Sequence, residues 1–302
     1  MGVRTMTFRP CQHDSANNLL PNSSSYSITG ATFTIPSLKN DNVVDLGGTI
    51  AIQNRATLTS ASGCIITNGS RLSGGGMFTY GGSMILSNCV ISGNVASGGG
   101  GLMGDGFTSS HIFYPPSVSC TGCEIVDNTG SSAYAGGIRM NNGTLFLNDC
   151  IVSNNHGNGA GKGIMCTGGT TTLSNTTVIG NTDQNGNIAL GTAEIYQSQG
   201  ILNIAGGCTV GYVTVNGQAL EDAAAQPTGS MILNGSNTFL SSSWLNSTGA
   251  CYISGGAVIT LGSYIQTQTA NRIFVSTGGC TVNGHYISAG SYTKINSDGT
   301  TT

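Results

Sequence analysis

Ionisable and nucleophilic side chains are few enough in this sequence to be weighed one by one: 9 Lys and Arg, 12 Asp and Glu, 4 His and 10 Cys among 302 residues. Two kinds of chemistry on polysaccharides would need such groups gathered on one face. Cleaving a glycosidic bond by hydrolysis takes two carboxyl groups that flank it. Eliminating next to a uronate carboxylate takes acids that hold Ca²⁺ and an Arg or Lys that removes a proton. The residues of suitable type are Asp127, Arg139 and Lys162. Asp127, however, occupies a place in a repeated phrase where Gly93 and Asn154 also stand, which marks it as a corner residue. Arg139 follows Gly137-Ile138, and Lys162 interrupts a Gly-Gly pair one repeat later, so the two cations are expected as neighbours on one edge, more as solvated charges than as a base and a clamp.

The most site-like stretch is an insertion that carries Asp105, Phe107, His111, Phe113 and Tyr114 before Pro115-Pro116. Aromatic rings on such a loop can stack on sugars or grip a protein partner, with Asp105 and His111 as polar contacts. An equal alternative is that the rings cover apolar wall beneath them. Cys120-Thr-Gly-Cys123 has no second pair at metal spacing, so neither a metal site nor a cofactor is expected.

The elements that must position these residues are repeats. Cys89-Val-Ile-Ser-Gly-Asn94, Cys123-Glu-Ile-Val-Asp-Asn128, Cys150-Ile-Val-Ser-Asn-Asn155 and Thr176-Thr-Val-Ile-Gly-Asn181 share one frame, and the intervals from the shorter relative at Cys64 are 25, 34, 27 and 26 residues. The long interval holds the insertion. A second phrase keeps step with the first: Gly75-Gly76-Met-Phe, Gly100-Gly101-Leu-Met, Gly136-Gly137-Ile-Arg and Gly161-Lys-Gly163-Ile. A third, exemplified by Met84-Ile-Leu-Ser-Asn-Cys89, lies between them. Three short β-prone segments separated by Gly or Asn turns make one coil of about 24–27 residues.

A coil cannot bury its own apolar side chains, but parallel stacking at about 4.8 Å pairs each backbone group with the coils above and below. The expected fold is therefore all-β, a single-stranded right-handed parallel β-helix with three short strands per coil. Residues 1–36 are expected to lead in or cap it, with clear repeats over 47–181 and looser coils over 186–302. There Gly206-Gly-Cys-Thr-Val210 recurs as Gly278-Gly-Cys-Thr-Val282, 72 residues on, as three coils of 24 would place it. Residues 218–227 read as a loop or one helical turn. Asn94, Asn128, Asn155 and Asn181 are expected to stack as an amide ladder at a corner, each tolerating left-handed backbone. Cys64, Cys89, Cys123 and Cys150 are expected to stack as buried thiols, with disulfides as the alternative.

Composition narrows the partners. A net charge of −3 with no basic cluster lacks the footprint that replaces counterions on nucleic acid. No apolar run reaches the roughly 20 residues of a membrane helix. The first residues show no signal peptide, and the expectation is of an excised segment whose leader and anchor lie elsewhere.

The paired phrases, Gly-Gly with an apolar pair and then x-[Ile/Val]-x-x-Asn, resemble the short repeats of the polymorphic outer-membrane-protein autotransporters and related adhesin-like proteins of the pectate-lyase-like superfamily. The resemblance covers about residues 47–181. It follows the pattern rather than its strict form, because Thr49, Met77, Leu102 or Ile138 stands where that family has Ala, and Ile91 or Val178 where it has Phe. It implies a secreted or surface-displayed solenoid that binds a glycan or a protein of a host or neighbouring cell without catalysis. The same superfamily contains polysaccharide lyases, glycoside hydrolases and phage tailspikes, which remain the alternatives. A monomer is favoured over a tailspike-like trimer.

Overall fold

A computed structural model describes residues 6–8, 25–29, 32–34, 50–53, 57–109, 111–132, 134–186, 193–216, 230–246 and 249–302. Each turn of the chain visits three sheets in the same order. Leu102–Asp105 lies in the first sheet, Ser117–Thr121 in the second and Glu124–Val126 in the third, and Ile138–Met140 returns to the first. Among the described residues each of these sheets has 11 strands, and the fold is a right-handed parallel β-helix. A further 3-stranded sheet, Ser70–Ser73, Val95–Gly98 and Thr129–Gly130, lines the corner that leads from the third sheet back to the first.

Strands Met6–Phe8, Ser25–Thr29 and Thr32–Thr34 pair in parallel with the next turn, so the segment read as a lead-in adds a strand to each sheet. Cys11, His13 and residues 218–227 lie outside the described residues. At the other end the chain reverses. His285–Ile287, Gly290–Tyr292 and Lys294–Asn296 run antiparallel on the last parallel strands of the third, second and first sheets. An open stack end would present unpaired N–H and C=O groups to any other strand. Here the final turn, wound back on itself, pairs with the last parallel strands and becomes the outermost strand of each sheet.

Side chains alternate in and out along most of the strands whose side chains are described, as in Gly143–Asn148 and Ser117–Thr121, and the inward ones stack in columns. Ile66, Ile91, Ile125, Val152 and Val178 form one such column in the third sheet, each fully buried. Burying a side chain of this size contributes about 1.5–3 kcal/mol, and the column repeats that gain on every rung. The looser coils keep the alternation and change the register. Thr209 pairs with Thr238 and Thr238 with Thr260, while Val258 pairs with Thr281, so Cys208 shares its column with Asn237, Ile259 and Val282. The repeated Gly-Gly-Cys-Thr-Val phrases are thus offset by two positions, a shift that leaves inward residues inward.

Two corners flank the third sheet, and each turns on one residue per rung in left-handed backbone. Gly63, Asn88, Gly122, Asp149, Asn175 and Gly207 make the first column, and Asn68, Gly93, Asp127, Asn154 and Gly180 the second, with φ between 46° and 70° throughout. Only Gly, Asn and Asp occur there, the types that tolerate this conformation. The ladder asparagines come one residue later and are not themselves left-handed, contrary to the expectation that one residue would do both jobs.

The amide ladder itself is continuous. The Asn128 side-chain oxygen accepts from the backbone N–H and the amide of Asn94, Asn155 does the same for Asn128, and Asn181 for Asn155, all at 2.9–3.0 Å. All four residues are buried. The second glycine of each pair leaves room for this ladder and for the backbone of the next rung: a Cβ on Gly76, Gly101 or Gly137 would lie 2.9, 2.9 or 3.0 Å from the amide nitrogen of Asn94, Asn128 or Asn155, and 2.7, 2.9 or 2.6 Å from a backbone oxygen one rung on. Beyond Asn181 the next acceptor is a carboxylate. Glu194 receives the Asn181 backbone N–H at 3.1 Å and its amide at 2.5 Å, and its own chain fits because Gly211 has no side chain there.

Cys64, Cys89, Cys123 and Cys150 occupy a second column, continued by Thr176 and Cys208, and all nine described cysteines are free thiols. These residues are donors as well as filling. The Cys89 thiol lies 3.4 Å from the Ser87 carbonyl, Cys150 3.2 Å from Asn148 and Cys208 3.5 Å from Gly206, and the Thr176 hydroxyl makes the same bond to Ser174 at 2.8 Å. That shared bond lets Thr176 stand in for Cys on its rung, whereas further along the column Asn237, Ile259 and Val282 take the place.

Candidate functional site

After Asp105 the chain leaves the coil as a two-stranded antiparallel hairpin, Phe107–Ser109 against Ile112–Tyr114. The insertion read as a loop is thus a strand pair, as two short β-prone triplets around a tight turn permit. His111 sits in the turn with φ 65° and is exposed. Ile112 is 55 % and Phe113 48 % exposed, too much for residues whose task is to cover a wall. Tyr114 is half-buried, and the Phe107 side chain is outside those described. The Phe113 ring rests on Gly106, where a Cβ would come within 2.1 Å of it, and this contact holds the hairpin beside Asp105.

On the outer face of the first sheet, Asp105 begins a chain of polar contacts that crosses three rungs. Its carboxyl accepts the Gly106 N–H at 2.9 Å and the Asn141 amide at 3.2 Å. The Asn141 oxygen accepts from Arg139 Nε at 3.2 Å and from the Thr167 hydroxyl at 3.0 Å. The Arg139 guanidinium lies 3.5 Å from the centre of the Tyr134 ring, a cation–π contact that holds it flat on the surface. Toward the N-terminus the same outward column becomes apolar, with Ala51, Phe78 and Met103 buried in a small cluster and Tyr80 packed on it. Phe78 and Tyr80 stack at 6.2 Å.

This arrangement offers one cation, one carboxyl, a carboxamide, a hydroxyl and aromatic faces on a wall of fixed backbone. Such a set can recognise hydroxyl-rich or amphipathic ligands by hydrogen bonding and stacking. It contains one carboxyl group where hydrolysis would use two. Among the described residues, no group of three or more His, Cys, Asp and Glu could hold a metal ion, and no helix is long and apolar enough to cross a membrane.

A family model described as a right-handed β-helix region matches residues 11–183. This chain belongs to that right-handed β-helix family. No curated protein and no solved structure matches it.

The other candidate residues of this β-helix do not join the Arg139 network. Arg139 has Met165, not Lys162, as its neighbour on the next rung, so the expected pair of cations does not form. Lys162 lies where the register slips between Gly161 and Ile164 and is only 4 % exposed. Burial lowers its pKa, and the charge of Asp183 works the other way. Asp127 is an exposed corner residue. His156 bonds the Thr182 hydroxyl at 2.6 Å beside the short corner sheet.

Tyr134, Asn141 and Thr167 were not singled out from sequence. A signal was present: Tyr80, Asp105, Asn141 and Thr167 each stand four residues after Gly76, Gly101, Gly137 or Gly163. Threonines also form a rank that the sequence hid, Thr177, Thr209, Thr238 and Thr260 on successive rungs of the third sheet. The adjoining column holds Ser236, Val258 and Thr281, so the rank is single.

Proposed function

We propose that this β-helix is a non-catalytic, adhesin-like segment, displayed outside the cell, that binds glycan or protein on the outer face of its first sheet. The observation that carries this reading is the hairpin: Phe113 and Ile112 stand exposed on a braced strand pair beside the Asp105–Asn141–Arg139 chain. Exposed apolar side chains next to fixed polar groups are the make-up of a recognition patch. Asp127 and Lys162, which a lyase or hydrolase would want near Arg139, sit elsewhere.

The test is a glycan array and a panel of cell-surface proteins probed with the wild type and with Phe113→Ala and Arg139→Gln. Binding that falls at least tenfold in both variants supports the proposal. Release of reducing or unsaturated sugar from a polysaccharide panel overturns the non-catalytic reading in favour of a hydrolase or lyase. A solution mass of three chains overturns it in favour of a tailspike-like fibre.

A further inference from the structure

The cysteine column is expected to be regular, yet at one rung it is doubled. The inward position at the end of the second sheet is Ala61, Leu86, Leu147, Leu173, Ile204, Leu233, Ile253 or Val275 on other rungs, and Cys120 on this one. Cys120 therefore meets Cys123 across a corner made by Thr121 and left-handed Gly122. Cys123 stands between Cys89 and Cys150 in its own column, and the Cys89 backbone N–H lies 3.5 Å from its sulfur. By register Cys123 stands one rung from Cys89 and one from Cys150, and Cys120 lies across the corner from it, so the four thiols are neighbours in one cluster. All four are at most 1 % exposed.

We infer that Cys120 and Cys123 are a redox-active pair which a disulfide donor oxidises to an intramolecular disulfide as the chain folds. Other contacts in the cluster run between rungs, where side chains stand parallel about 4.8 Å apart. A disulfide needs Cβ atoms about 3.5–4.5 Å apart, which favours the pair that faces itself across a turn over pairs stacked in a column.

The balance is that of thiol–disulfide exchange. One thiolate of the pair attacks a sulfur of the donor, a small disulfide such as oxidised glutathione, and one donor thiolate leaves. The other thiolate of the pair then attacks the protein sulfur of the mixed disulfide and the second donor thiolate leaves. Two protein thiols are oxidised, one donor disulfide is reduced to two thiols, and the two protons pass to solvent or to the leaving thiolates. Because the pair is covered once the neighbouring rungs close, the reaction belongs to the folding chain.

The full chain should be unfolded and reduced, then refolded in a mixture of oxidised and reduced glutathione, with a parallel sample kept fully reduced. Thiol titration in denaturant should find two fewer than the ten thiols of the reduced chain, and the peptide that holds residues 120–123 should be lighter by two hydrogens. Cys120→Leu, which restores what Leu86 and Leu147 provide on the adjacent rungs, should lose no thiols in the same mixture and melt like the wild type under reduction. Retention of all ten thiols would overturn the inference. So would a bond mapped to Cys89–Cys123 or Cys123–Cys150, or equal thiol loss in Cys120→Leu.

Discussion

Asn128 is the residue at which the ladder can be tested most sharply. Its amide donates to the Ile91 and Val126 carbonyls at 2.9 Å and to Asn155, and its oxygen accepts two bonds from Asn94. Asn128→Ala leaves the buried Asn94 N–H without that acceptor and takes one partner each from the Asn94 amide and the Asn155 oxygen. A buried polar group left unpaired costs about 1–3 kcal/mol, and the emptied side-chain space adds to it, so a loss of about 4 kcal/mol is expected. Asn128→Asp is a second probe of the same geometry. Its carboxylate can still accept from Asn94, but it turns an anion toward the Asn155 oxygen that needs a donor. The carboxyl pKa of such a variant would be raised in the folded state. Its stability would then be greatest below the ordinary carboxylate range and lost as pH rises through the folded value. Asn128→Asp should therefore be weaker than Asn128→Ala at pH 7 and recover on acidification. Thermal unfolding followed by circular dichroism gives the global effect. Hydrogen exchange on the third-sheet strands shows whether opening begins at this rung, as nearest-neighbour stacking requires. If Asn128→Ala unfolds within about 0.5 kcal/mol of the wild type, the magnitude of an ordinary surface change, the ladder is ornament and the reasoning fails.

Thr176→Val removes the hydroxyl bonds to Ser174 and Leu147 while keeping the shape, and should cost about 1 kcal/mol by denaturant titration, whereas Thr176→Cys should be nearly neutral. Equal losses in the two would show that only packing matters in that column. Burial raises the Glu194 pKa against the pull of the Asn181 donors, so its contribution to stability is full below the usual carboxylate range and is lost as pH rises through the folded value. Wild type should then gain stability relative to Glu194→Gln as the pH falls from 7 to about 4, and a difference that does not change with pH would contradict this. Replacing residues 107–114 by a short Gly-Ser link should shift stability by no more than about 0.5 kcal/mol, since none of the described side chains among them belongs to the buried core, while abolishing any binding the patch supports. A large loss of stability would instead make the hairpin part of the wall.

The extent to which this protein could be read from its residues follows from the range of the forces involved. Gly, Asn and Asp before the column cysteines Cys64, Cys89, Cys123 and Cys150 and before the ladder asparagines declare left-handed corners, because backbone sterics act on one residue at a time. Apolar alternation declares inward faces, because strand geometry has a period of two. Equal spacing of Asn94, Asn128, Asn155 and Asn181 against the cysteines declares stacking, because a ladder forms only if like residues share a rung. The β-helix, its coil length and both columns are therefore written locally and repeated. Contacts between columns are not. That Gly76 makes room for Asn94, that Glu194 ends the ladder over Gly211, and that Arg139 reaches Asn141 and Tyr134 rather than Lys162 depend on how far each coil advances before the next begins. Coil advance is set by insertions and by register slips such as that between Gly161 and Ile164, which a linear sequence records only as extra residues. The reversed last turn was hidden for the same reason: His285–Ile287 and Lys294–Asn296 alternate like any other strand, and only pairing with a neighbour reveals which way a strand runs.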